Sequence, residues 1–314
     1  MKILIQHRTT YRYSEEVSFG PHQIMMRPRE GHDIHIEKSI LEITPAHHIH
    51  WLRDVNGNCI ARVDFTERAD HLMIYSELVL QHYDSNPFDF QLDRAAATYP
   101  FIYPAGSKSE LSAFTQILYP KDTAALVVYL DPFWKPGETV ETMALLQALN
   151  HDINQNFRYQ RRDEPGVQTP AQTLQLRSGS CRDFATLFVE ACRSWGLAAR
   201  FVSGYMLCDA TEAGGASTHA WAEVYLPGAG WKGFDPTSGI LSGGQYVATA
   251  VSRDPEKAMP IDGVYLGPKE AALGIEVDVH VSQYDLPPAS RRGEAPLPIP
   301  VETKPLPVIG SRPL

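Results

Sequence analysis

One stretch limits the folds open to this chain more than any other: Gly179-Ser180-Cys181-Arg182-Asp183-Phe184-Ala185-Thr186-Leu187-Phe188-Val189-Glu190-Ala191-Cys192-Arg193-Ser194-Trp195-Gly196. Phe184, Leu187, Phe188, Ala191 and Trp195 recur at helical spacing. The segment from about Cys181 to Trp195 therefore reads as a helix with one face committed to a core. Ser178-Gly179-Ser180 supplies breaking and capping chemistry before it, and Gly196 supplies a stop after it. Cys181 then stands at the first helical position. A thiol there meets the positive end of the helix dipole and N–H groups without intrahelical partners, which favour the thiolate, the form that attacks electrophiles. The same N–H groups suit a developing oxyanion. Taken alone, the stretch equally fits a small buried thiol, because free cysteine is among the most buried residue types. The residues downstream decide between the two.

With 314 residues the chain has room for two cores. A formal net charge of −9 argues against a general binder of nucleic acid or of anionic membranes. No apolar run approaches the length of a membrane span. Met1-Lys2-Ile3-Leu4-Ile5-Gln6-His7-Arg8 is too short and too polar for a secretory signal. Cys59, Cys181, Cys192 and Cys208 form neither a dense disulfide framework nor a CxxC zinc spacing. A reducing cytoplasm is the setting these features fit.

Residues 1–90 read as a β-rich, sandwich-like domain of short strands and regular turns. Ile3-Leu4-Ile5, Thr9 to Tyr13, Ile34-His35-Ile36, Ser39 to Ile43, Met73-Ile74-Tyr75 and Leu78-Val79-Leu80 are β-prone. Asn56-Gly57-Asn58 is a hairpin signal between Trp51-Leu52-Arg53 and Cys59 to Val63. His48 and His50 alternate on a strand and share a face, but no Cys or acidic residue stands at metal-ligand spacing beside them, so no metal is expected. Residues 91–138 are a proline-broken connection with one or two short helices, Ser109 to Leu118 being a candidate. Within 139–284 the pattern predicts a helix over Thr139 to Phe157, a helical turn over Ala171 to Leu176, and strands at Ala199 to Met206, His219 to Leu226 and Trp231 to Asp235. A last strand is expected at Gly274 to Ser282. Residues 285–314 are a proline-rich tail without a core of its own.

Cys181, His219 and Asp235 carry the chemistry of this layout. A thiol nucleophile needs a base within hydrogen-bond reach, and the base needs an orienting partner. His219, Trp221, Glu223 and Tyr225 share one strand face. Asp235 joins that face only if the turn at 226 to 230 keeps parity, so that Tyr225 faces Trp231 and Trp221 faces Asp235. Asp235 is then the diagonal neighbour of His219. An odd-length loop or a bulge is therefore expected.

These motifs together resemble the bacterial transglutaminase-like superfamily. Gly179-Ser180-Cys181-Arg182-Asp183-Phe184-Ala185 is similar to its nucleophile motif, Gly196 to Tyr205 to the strand that follows, His219-Ala220-Trp221-Ala222-Glu223-Val224-Tyr225 to its histidine motif, and Gly230 to Thr237 to its aspartate motif. Thr9 to Tyr13, Pro21-His22 and Met26-Arg27-Pro28 resemble the β-rich N-terminal domain that accompanies this core in bacteria. Ser252-Arg253-Asp254 departs from a Gly-Arg-Asp common in the family. The resemblance implies an α+β, papain-like transglutaminase core with Cys181 as nucleophile, His219 as base and Asp235 as orienter, working without cofactor or metal on a peptide or protein amide. Tyr159, Ser180 and Trp221 are candidates to contact substrate. The same trio serves a cysteine peptidase or amidase, a protein-glutamine transglutaminase and a deamidase, and the bacterial pattern leans towards hydrolysis. A catalytically silent binding module on the same fold is the alternative from another class.

Overall fold

The alternation seen in the first eighty residues becomes long paired strands in the computed structural model, which describes residues 1–83, 86–162, 164–207 and 218–284. The longer strands of this part are β1 (Lys2–Phe19), β2 (His22–Arg27), β3 (Ile34–Thr44), β4 (His47–Arg53), β5 (Cys59–Phe65) and β6 (Ala69–His82). Helices α1 (Ala105–Leu111), α2 (Thr123–Leu130), α3 (Thr142–Asn156), α4 (Pro170–Leu176) and α5 (Cys181–Ser194) follow. The chain continues through β7 (Ala199–Met206), β8 (Thr218–Leu226), β9 (Gly230–Asp235), β10 (Tyr246–Ser252) and β11 (Ala272–Gln283). Residues Met1–Tyr284 pack as one unit. The proline-rich stretch 285–314, Cys208 and the Gly/Ala-rich loop to Ser217 lie outside the described residues.

Ile3, Ile5 and His7 alternate inward along β1, as a half-buried strand requires. One sheet has β1 between β6 and β11, with β3 beyond β6. The other runs Ile261–Asp262, β2, β5, β4. Phe19, Ile24, Met26, Val63, Leu72 and Ile74 form a shared core. The β4–β5 hairpin turns through Gly57 at φ +77°, a conformation that favours glycine, while Asp54 Oδ1 accepts from the N–H groups of Asn56 and Asn58. His48 and His50 are exposed on β4.

The second layer is an antiparallel sheet in the order Ile240–Leu241, β9, β8, β7, β10, with α5 laid across it. Phe184, Leu187, Phe188 and Ala191 meet Ala222, Val224 and Phe234. Each large apolar side chain so enclosed contributes about 1.5–3 kcal/mol relative to exposure. The helix also buries an ion pair, Glu190 with Arg193 at 2.7 Å. Neither charge lacks partners: Glu190 accepts from the N–H groups of Leu118 and Tyr119, and Arg193 donates to the carbonyls of Phe114, Ala199 and Arg253. A pair removed from water needs this full satisfaction to persist, and here it fastens the proline-broken connection to α5.

α2 is the second of the one or two short helices expected in the connection, at a place no pattern marked, because Thr123-Ala124-Ala125-Leu126-Val127-Val128-Tyr129-Leu130 is apolar almost all round and shows no 3.6-residue contrast. Two further elements differ from the sequence pattern. The helix expected over Ser109 to Leu118 is instead the end of α1 followed by a 3-10 turn at Ser112–Phe114. The last strand, expected to end the 139–284 segment, is β11, and it hydrogen-bonds along β1 from Ile3 opposite Gln283 to Tyr13 opposite Ala272. Alternation marks a strand but not its partner. The strand that completes the second sheet is β10, paired with β7.

The two β-rich parts share a boundary core: Ile3, Ile5, Leu78 and Leu80 pack with Tyr205 and Val247. Asn58 completes the join. Its amide donates to the Val251 carbonyl at 2.8 Å and accepts from the Val251 N–H at 2.9 Å, standing in for a neighbouring strand on β10. Asn58→Ala leaves two buried backbone groups unpaired, each costing about 1–3 kcal/mol. The expected result is a urea midpoint lowered by a corresponding loss of roughly 2–6 kcal/mol; an unchanged midpoint would mean that solvent replaces the amide at no cost.

Candidate active site

The start of α5 is held by one buried carboxylate. Asp183 Oδ2 accepts from the backbone N–H and the hydroxyl of Ser180, each at 2.8 Å. Its Oδ1 accepts from Arg162 Nη1 at 2.6 Å and from the Gln168 N–H at 2.7 Å. A Cβ on Gly179 would come within 2.8 Å of Asp183 Cβ, so this approach requires glycine. Ser178–Gly179 pairs in parallel with Arg158–Tyr159, fixing the direction in which the chain enters the helix. At the far end Gly196 takes φ +75°, and the N–H groups of Gly196 and Leu197 bond back to Arg193 and Cys192, a glycine-terminated stop. Cys181 is the first helical residue, as its place after the Ser180 cap predicts.

The β8–β9 register meets the parity condition. Tyr225 lies opposite Trp231 and Leu226 opposite Gly230, leaving Pro227-Gly228-Ala229 to turn the chain. His219 Nε2 and Asp235 Oδ2 are 2.8 Å apart. With Nε2 so engaged, Nδ1 is the ring nitrogen left for Cys181, which lies close enough to raise the imidazole. Gly204 lies opposite His219 on β7, where a Cβ would collide with the Val247 carbonyl.

Asp235 is fully buried, and three further donors satisfy it. Oδ2 accepts from the Ser238 hydroxyl at 2.7 Å and the Tyr246 hydroxyl at 2.8 Å, and Oδ1 from the Thr237 N–H at 2.9 Å. Burial alone would push the His219 imidazole down. The hydrogen bond and charge of Asp235, with a further contribution from Cys181, outweigh it and raise the ring to about 10. Burial likewise works against the Asp235 carboxylate, but the bonds from His219, Ser238 and Tyr246 hold it below its usual range. The Cys192 thiol is pushed up by burial within the core.

The structure thus brings Cys181, His219 and Asp235 together. Tyr159 pairs with Gly179 and is 49% exposed, and its phenol is raised by burial and then by the nearby Cys181. Ser180 and Trp221 do not meet the expectation of substrate contact. The Ser180 hydroxyl and N–H are both used on Asp183. Trp221 is 2% exposed and stacks beside His219, with ring centroids 6.2 Å apart and planes at 23°, so it supports the imidazole and offers no free face. Sequence reasoning missed Asp183, Ser238 and Tyr246. Ser180-x-x-Asp183 is a capping pattern that points to the first, and the alternation of Tyr246-Val247-Ala248-Thr249-Ala250-Val251 points to the strand that carries the last. Among the described residues no three His, Cys, Asp or Glu side chains converge as a metal site.

Residues 3–81 match the bacterial transglutaminase-like N-terminal region, and residues 135–236 match the transglutaminase-like superfamily. Uncharacterized proteins of Mycobacterium tuberculosis and Mycobacterium bovis are each 30% identical over 289 residues, covering 88% of this chain and 91% of their own. The chain belongs to the transglutaminase-like superfamily. A crystal structure from Cytophaga hutchinsonii, described as a "putative cysteine protease", has a TM-score of 0.70 at 20% identity, covering 92% of this chain and 93% of its own. That likeness bears on the fold: a transglutaminase-like α+β core of the papain-like kind behind a β-rich N-terminal region.

The raised imidazole gives this transglutaminase-like core a pH signature. His219 rises from an ordinary 6.5 to about 10 on folding, so its contribution to stability is complete below about 6.5 and is lost as pH climbs through about 10. Asp235 is ionised in both states across that window. The stability gap between wild type and His219→Ala, measured by urea unfolding, should shrink steadily between those two values. A gap that stays constant would remove the charged imidazole from the folded state.

Proposed function

We propose that the chain is a thiol-dependent acyl-transfer enzyme acting on an amide bond, most simply a cysteine peptidase or amidase. The observation that carries this reading is the position of one imidazole between the Cys181 thiol and a buried, fully hydrogen-bonded Asp235 carboxylate. In the first half-reaction the Cys181 thiolate attacks the amide carbonyl carbon and a C–S bond forms. The carbonyl oxygen takes up negative charge beside the Cys181 N–H, which as the first helical N–H has no intrahelical acceptor. One such donor is worth roughly 3–4 kcal/mol to the transition state. The C–N bond breaks, the His219 imidazolium gives its proton to the departing amine, and a thioester remains on Cys181.

In the second half-reaction His219 takes a proton from water as the water oxygen attacks the thioester. The C–S bond breaks, the acid leaves, and the Cys181 thiolate and His219 imidazolium are restored. An amine in the place of water gives a transglutaminase, and a glutamine side-chain amide as first substrate gives a deamidase. The first half-reaction is common to all three. Asp235 keeps the Nε2–H of His219 directed at itself, so that Nδ1 faces the sulfur in every step.

Alkylation tests this before any substrate is known. Iodoacetamide at mildly acidic pH, followed by peptide mass spectrometry, should label Cys181 fast and Cys59 and Cys192 slowly. The fast phase should vanish in His219→Ala. Labelling of Cys181 no faster than Cys59 would shift the reading to a catalytically silent binding module. Once an amide substrate is found, Cys181→Ala should abolish turnover with a nearly unchanged melting temperature, and retained turnover would reject the nucleophile. Asp235→Asn should leave only weak activity, on the order of 10³–10⁴-fold below wild type, because the imidazole loses its tautomer and its support.

A further inference from the structure

β11 is an outer strand of the N-terminal sheet. It bonds to β1 along one edge, and its other edge carries no partner among the described residues. Val281 is 7% exposed, Val277 51% and Ile275 58%. Val281 lies opposite Ile5 and Val277 opposite Thr9, both inward residues of β1, so the apolar row that starts in the boundary core runs out of it uncovered. A long exposed edge strand pairs with another chain unless Lys, Pro, a bulge or an inward-pointing charge blunts it. Ala272 to Gln283 holds no Lys or Pro, and Glu276, Asp278 and His280 alternate onto the face away from the apolar row. The register against β1 shifts once, where Leu273 is extra between Gly274 opposite Arg12 and Ala272 opposite Tyr13. The regular, unblunted run is therefore Gly274 to Gln283.

The charges on this run make it complementary to itself. A second copy in antiparallel pairing keeps apolar side chains against apolar ones only if paired residues match in parity, which puts the two-fold axis on a residue. Three such axes lie near the middle of the run. An axis at Val277 sets Glu276 against Asp278 of the copy, and an axis at Asp278 sets that carboxylate against its own mate. Like charges directly opposite destabilise a pair. An axis at Val279 instead sets Asp278 opposite His280, and Val277 opposite Val281, on both sides of the axis. That register extends from Ile275 to Gln283 and stops short of the bulge at Leu273. Within one chain His280 Nε2 and Asp278 Oδ1 are 3.1 Å apart, and the side chains are 72% and 62% exposed, so each has room for a second partner. We propose that β11 is a self-association edge, at which two copies of this chain pair antiparallel through Ile275 to Gln283 about a two-fold axis at Val279 and join their N-terminal sheets. The strand pair is far smaller than the roughly 20–30 residues a side of a standard interface, so the dimer is reversible.

Sedimentation equilibrium of the full-length protein over a range of concentrations provides the test. The wild type should show a reversible monomer–dimer equilibrium. Val277→Lys puts a charge on the half-exposed apolar row and should leave only monomer. His280→Asp sets like charges opposite each other on both sides of the axis and should weaken the dimer about tenfold. Asp278→Lys combined with His280→Asp exchanges the signs and should return the dissociation constant to the wild-type value or below. Both charge changes are made at exposed side chains, so the melting temperature should stay unchanged in these variants. A wild type that is monomeric at every concentration overturns the proposal; if the chain ended at Tyr284 then dimerises, the residues after β11 occupy the edge instead. A dimer insensitive to both Val277→Lys and His280→Asp lies on another surface. A loss in His280→Asp with no recovery in the double variant rejects the axis at Val279. None of these outcomes depends on turnover, so the acyl-transfer reading stands or falls separately.

Discussion

A carboxylate with no exposure to water is the constraint on which the rest of the second sheet depends. Burying Asp235 alone would cost several kcal/mol. The charge is tolerated because four donors from three places converge on it: His219 on β8, Tyr246 on β10, and Thr237 and Ser238 in the turn after β9. These donors meet only if the strand order is β9, β8, β7, β10 and the β8–β9 register is even. A slip of one residue in that hairpin would send Asp235 to the opposite face and leave both it and His219 unpaired. Polar satisfaction thus fixes the register, and the register fixes which nitrogen of the imidazole is free for the sulfur.

β10 is an edge strand of its sheet, and an edge strand that carries a hydroxyl for the buried carboxylate must not fray. The N-terminal part secures it from two sides. Val247 packs with Ile3, Ile5, Leu78 and Leu80, and Asn58 bonds both backbone groups of Val251. The turn that delivers Asn58 is held by Asp54, whose Oδ2 also accepts from the Asn58 amide at 2.8 Å. A physical path therefore runs from a hairpin in the first sixty residues to the strand that supports Asp235. The N-terminal sheet buttresses the site, which explains why both parts form one packed unit.

The sequence made legible those features that depend on local pattern. The apolar stripe and caps of α5, the place of Cys181 at its first turn, and the parity of the β8–β9 turn all follow from spacing within one or two elements. What stayed hidden depends on partners distant in the chain. β11 alternates like any strand, and nothing local says that its neighbour is β1, more than 250 residues earlier. Tyr246 lies in an alternating run, but its hydroxyl matters only because β10 sits beside β7. Ser180 and Trp221 flank the right residues in sequence and were natural candidates for substrate. Their polar atoms or faces turn instead toward Asp183 and His219, a choice made by packing that spacing does not encode.

Asp183 sets a second electrostatic problem close to the first. A carboxylate in the first turn of α5 suits the positive end of the helix and locks the Ser180 cap. The same negative charge stands near the thiol that the proposed chemistry needs as an anion, and like charges in a site with little water repel strongly. Arg162 resolves the conflict. Its guanidinium lies 2.6 Å from Asp183 Oδ1, and the N–H groups of Ser180 and Gln168 take up the remaining lone pairs. Asp183 therefore acts locally, as a cap, while Asp235, whose partners among the side chains are neutral apart from His219, acts on the imidazole with its full charge. The two carboxylates have opposite tasks, and the difference lies in which of them is given a guanidinium.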